Sequence, residues 1–80
     1  MGAAMADPNE ISALKASFRG ALSTAAALQA VHPTVEAIDP TADIAAADLD
    51  ELARVTAAHA VASAALRGLV ETMLRRRNTQ

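Results

Sequence analysis

The chain has almost nothing large with which to build a core. Of its 42 apolar residues 22 are alanine, and Phe18 is its only aromatic residue. Alanine favours helix above every other residue but brings little area to bury, and burial contributes only about 25 cal/mol per Å². Long helices with a thin seam between them are therefore the expected outcome. At 80 residues the chain makes one domain at most. Chains of roughly 70 to 80 residues rarely draw more than ~3 to 5 kcal/mol from a single core, and a staple, a metal or oligomerisation is the usual remedy. There is no cysteine, which removes disulfides, thiolate zinc sites, iron–sulfur ligation and thiol catalysis.

No segment addresses the chain to a membrane or to export. The stretch from Met1 to Asp7 has neither a basic region nor an apolar run, so no signal peptide is expected. Gly2 fails as a myristoylation site because the sixth position is Ala6 rather than a hydroxyl residue. The longest uncharged stretch, residues 20–35, falls short of the ~18 to 20 residues needed to span a bilayer and carries His32 and Pro33. The expectation is a cytoplasmic protein with no membrane partner.

Asp7-Pro8-Asn9-Glu10 reads as a helix start. Asp7 serves as N-cap, Pro8 sits where its missing donor costs nothing, and Glu10 is placed to reach back to the cap. Behind it Ile11, Leu14, Phe18, Ala21, Ala25, Leu28 and His32 recur at alternating spacings of three and four, a single apolar stripe with Leu22 beside it. Pro33 is expected to stop this helix near residue 31, since the residue before a proline is pushed away from helical geometry. The next segment should be a structured connection, with room for a single helical turn opened by Pro33-Thr34 and running through Ile38, and Asp39-Pro40-Thr41 repeats the cap-plus-proline signature. A second helix is expected to begin at Asp39 or at Asp48, which has Glu51 three residues on, and to run to about Arg76. Its stripe is Leu52, Val55, His59, Ala62, Leu66, Leu69 and Met73, flanked by Leu49, Val70 and Leu74. Gly68, inside this helix, costs about 1 kcal/mol relative to alanine and is a candidate for close helix contact.

The fold class is therefore all-α: an antiparallel helical hairpin over residues 7–77, with a disordered tail at residues 1–6 and frayed residues 78–80. Residues 1–51 carry eight acids against Lys15 and Arg19, a balance of −6. Residues 52–80 carry five arginines against Glu71, a balance of +4. An antiparallel hairpin brings Asp7 and Glu10 toward Arg75, Arg76 and Arg77, each pair worth tenths of a kcal/mol. One seam cannot cover Leu22, Leu49, Val61, Val70 and Leu74, which lie off the centre of the stripes. A homodimer forming a four-helix bundle is the economical cover, and a larger protein partner would serve equally well. The residues assigned to self-association are Leu14, Phe18, Leu22, Leu52, Val55, Leu66, Leu69 and Met73. Phe18→Ala should cost about 3 to 5 kcal/mol if the ring is buried.

Catalytic and cofactor chemistry finds no footing in the sequence. With facing residue numbers adding to about 84, His59 lies opposite Ala25 and His32 opposite Leu52, so the two imidazoles do not meet. His59 has none of the i+3 or i+4 ligands that a bundle metal site uses, and its nitrogens are expected to find Thr56, Ser63 or a backbone group. A pH-sensitive interface histidine is the other reading of His59. His32 is expected to complement the end of its helix and to pair locally with Glu36. No hydroxyl sits in a glycine-flanked elbow, the three glycines form no phosphate-binding loop, and Asp39, Asp43, Asp48, Asp50 and Glu51 lack the glycine turn of a calcium loop. No cofactor or metal is implied. The signatures of several small helical families are also missing: no Asp-Ser-Leu of an acyl carrier, no Lys-Gly after a histidine as in phosphotransfer bundles, and no Trp or Tyr for a type VII secretion partner.

The function expected by elimination is non-enzymatic protein–protein interaction, as an adaptor, inhibitor or assembly subunit that self-associates. The alternative is a nucleic-acid-associated accessory protein that contacts phosphates through Arg75, Arg76 and Arg77. Against it stand a net charge of −2, a pI near 5.5 and a single aromatic residue.

Overall fold

The computed structural model describes residues 7–78, which form two long helices packed antiparallel: α1 (Pro8–Glu36) and α2 (Ala46–Asn78). No strand occurs among the described residues. The expected tail at residues 1–6 and the terminal Thr79 and Gln80 lie outside them. The hairpin is a rod of 64 × 20 × 16 Å with a radius of gyration of 18.2 Å, where a compact chain of this length would have about 12 Å. Its accessible surface of 6035 Å² likewise exceeds the roughly 4,500 Å² that a compact protein of this mass exposes.

The start of α1 follows the sequence closely. Asp7 accepts a hydrogen bond from the Asn9 amide at 2.8 Å, and its carbonyl accepts the first helical bond from Ile11 at 3.0 Å. Glu10 does not close the capping box. Its carboxylate reaches across to Arg76 at the far end of α2, a charged partner that competes for it with a backbone amide.

Pro33 does not end α1, which continues one turn further to Glu36. The proline forfeits its own bond to the carbonyl four residues back, but its carbonyl still accepts from the Ala37 amide at 3.0 Å, so the last turn closes. The connection contains turns and no helix. Asp39 takes both the Thr41 amide, at 2.9 Å, and the Thr41 hydroxyl, at 2.8 Å, on one carboxylate oxygen. The signature read as a helix start therefore folds as an isolated Asx turn, closed by the Ala42 amide on the Asp39 carbonyl at 3.2 Å. Helix α2 starts at Ala46, between the two expected positions. The Ala45 carbonyl accepts from the amides of Asp48 and Leu49, which leaves Asp48 in the first turn, where its charge complements the helix dipole, rather than at the cap. At its other end α2 runs past Arg76 to Asn78.

The seam of α2 is the expected stripe, with Val55 at 2% exposure the only buried side chain among the described residues, and with Leu52, Leu66, Leu69 and Met73 half-buried. The α1 stripe is rotated by part of a residue step. Leu14, Ala21, Ala25 and Leu28 are half-buried as expected, but Ser17, Thr24 and Val31 join them in the seam while Phe18 and His32 are left exposed. Phe18 is 52% exposed and His32 is exposed beside Glu36, 3.6 Å away. Bulk decides the rotation: small or slender side chains at the seam let two alanine-rich helices approach, and the phenyl ring would hold them apart. Phe18→Ala consequently forfeits only part of the 3 to 5 kcal/mol expected of a buried ring within one hairpin. Gly68 makes no close contact either, because a Cβ built there meets nothing within 4 Å.

Candidate functional site

The polar centre of the seam is a hydroxyl–imidazole–hydroxyl cluster. Thr24 of α1 places Oγ1 at 2.8 Å from His59 Nδ1, and Ser63, one turn along α2, places Oγ at 3.2 Å from Nε2. Thr24 Oγ1 also lies 3.0 Å from the Ala21 carbonyl. We assign the Thr24 proton to that carbonyl, so that Nδ1–H donates to Thr24 Oγ1 and Ser63 donates to Nε2; every group then has a partner. The expected Ser63 partner is present, and Thr24 is the partner that the sequence reading missed. Thr56, the other expected candidate, bonds the Leu52 carbonyl of its own helix at 2.7 Å. Facing residue numbers add to 83, one less than expected, and that single step puts Thr24 rather than Ala25 opposite His59.

A hydroxyl against an imidazole is the pair from which nucleophilic catalysis starts, but here neither imidazole nitrogen is bonded to a carboxylate. Without such a group to orient the base, the cluster has the polar complement of a seam layer and not the parts of a triad. Among the described residues no three His, Cys, Asp or Glu side chains stand together in a way that could hold a metal ion.

The larger feature is an apolar face. Ile11, Phe18 and Leu22 of α1 lie on the same flank of the hairpin as Leu49, Val70 and Leu74 of α2, because in an antiparallel pair the residues that follow each helix's seam positions emerge on one side. All six are exposed, Leu22 at 56% and Leu74 at 53%. The opposite flank carries Gly20, Ala27, Ala58, Ala65 and Gly68, with Val61 its one bulky residue at 72% exposure. Of the residues assigned to self-association, Phe18 and Leu22 are on the exposed apolar face, whereas Leu14, Leu52, Val55, Leu66, Leu69 and Met73 line the seam within the hairpin.

Charge is separated along the rod. The connection end, residues 32–54, carries six acids against Arg54, a balance of −5; the remainder carries six bases against Asp7, Glu10 and Glu71, a balance of +3. Within the arginine cluster, Arg76 is paired with Glu10 and Arg75 donates to Thr72 at 3.2 Å. No helix among the described residues is long and apolar enough to cross a membrane. No family model, no curated protein and no solved structure matches the chain.

Proposed function

We propose that this chain is a non-enzymatic interaction module that self-associates, its working surface being the apolar face of Ile11, Phe18, Leu22, Leu49, Val70 and Leu74. The observation that carries this reading is the concentration of six exposed bulky residues on one flank, against Val61 among small residues on the other. Exposed bulky apolar residues gathered on one flank favour a protein contact, and a second pair of helices laid on them completes a four-helix bundle. The role is that of an adaptor, inhibitor or assembly subunit. Arginine-mediated nucleic-acid binding has less support, since two of the three arginines are engaged within the hairpin and the net charge is −2.

Light scattering across a dilution series, with circular dichroism on the same fractions, tests the reading. The expected result is a helical species at twice the 8.2 kDa chain mass whose melting temperature rises with concentration. Leu22→Glu should convert it to monomer by placing a charge at the centre of the contact. If Leu22→Glu left both mass and melting unchanged, the face would not be the working surface.

A further inference from the structure

Resting on the reading of this face as a self-association surface, we infer that the occupant is a second copy lying antiparallel, with the connection end of one hairpin over the arginine end of the other. Three observations converge on this arrangement. The first is charge: side-by-side copies in the same direction would set −5 against −5 and +3 against +3, whereas reversal sets each acidic end on a basic one. Adjacent helices are 8–10 Å apart, about one Debye length at physiological salt, so this difference is felt across the contact.

The second is the spacing of the bulky residues. Leu22 lies at the middle of α1, and Leu49 and Leu74 lie thirteen and twelve residues to either side of Ala62, the middle of α2. A two-fold axis crossing the rod at that level lays each Leu49 on the partner's Leu74 and brings Leu22 to its own copy. It also sets Phe18 over the partner's Ala25 and Val70 over the partner's Ala53, large against small, as interdigitating helix faces require. Parallel copies instead place α1 against the partner's α2, which sets Phe18 near the partner's Ser63 and Arg67 and Leu49 near the partner's His32.

The third is area. Over its whole surface the rod exposes roughly 1,500 Å² more than a compact protein of its mass, so covering one flank can supply the ~800 Å² that each partner contributes to a stable dimer.

The chain's lack of cysteine makes disulfide trapping a clean test. The single variants Leu22→Cys, Leu49→Cys, Leu74→Cys and Ile11→Cys all replace exposed residues, and circular dichroism checks that each remains helical. Under glutathione buffer, antiparallel pairing predicts a disulfide dimer from Leu22→Cys alone, and a mixed dimer as the major product when Leu49→Cys and Leu74→Cys are combined. Phe18→Cys combined with Ala25→Cys repeats the test on α1, so that a misfolded variant in one set leaves the other to decide. A major product from Ile11→Cys combined with Leu74→Cys would mean parallel copies and would overturn the arrangement while leaving the face in use. A monomeric mass for the unmodified chain at every concentration would overturn the second copy as occupant, and would leave the face to a different protein. A dimer that Leu22→Glu does not disrupt would remove the face itself, and with it the proposed function.

Discussion

His59 is a half-buried imidazole in the seam of this rod, and its two bonds differ in what their loss would leave behind. Thr24→Val keeps shape but strips Nδ1 of its partner in a half-buried site, so a loss of about 1 kcal/mol is expected from urea denaturation. His59→Leu orphans nothing on α1, because the Thr24 hydroxyl keeps the Ala21 carbonyl, and the added apolar contact should leave stability equal or higher. The opposite ranking would mean that the imidazole is kept for chemistry and not for packing. Asp39 offers a second check. The Thr41 amide, and after it the Thr41 hydroxyl, hold its carboxyl below the ordinary 3.8. Its stabilising effect on the turn is therefore complete above about pH 4 and disappears as pH falls through the lowered folded value. An NMR titration should give a midpoint below 3.8, and Thr41→Val should raise it only part of the way, since the backbone bond remains.

Both helices, their antiparallel pairing and the α2 seam were legible in the sequence because leucine, valine and methionine recur there with little competition. The α1 seam was not legible to the same precision. In α1 the positions flanking each of Leu14, Ala21 and Leu28 are small or polar on one side and bulky on the other, and hydrophobicity favoured Phe18 where close approach selects Ser17. The ends of the elements escaped for a related reason: proline weakens one bond without forbidding the turn after it, and an Asp-Pro-Thr triplet caps a turn as readily as a helix. Glycine repeats the lesson. Gly68 was legible as an exception to the helix but not as an exposed one, and with nothing within 4 Å of a new Cβ Gly68→Ala should stabilise α2 by about 1 kcal/mol. For a domain of this size that is a rise of roughly 4 to 8 °C in a thermal melt. If Gly68→Ala instead weakened self-association, the small-residue flank would be the buried one.

Taken as a whole molecule, the hairpin has no interior in the usual sense, only a line of contacts along its length. Such a line has a direction. Bringing Leu28 to Val55 closes a short loop through the connection, whereas bringing Leu14 to Leu69 closes one about twice as long, at an added entropic cost of about 0.6 kcal/mol. Val55, the only buried side chain among the described residues, lies toward the connection, and the open end is fastened by the half-buried Glu10 and the exposed Arg76. The helices should thus form as a zipper that starts at the acidic connection and reaches the arginines last. Hydrogen exchange should show protection declining from residues near Val55 toward both termini, and Glu10→Gln should steepen that decline without altering the connection end. A rod that opens from one end only presents its partner with a surface that is firm at one extremity and yielding at the other, so any assembly built on it would begin at the firm extremity and finish at the yielding one.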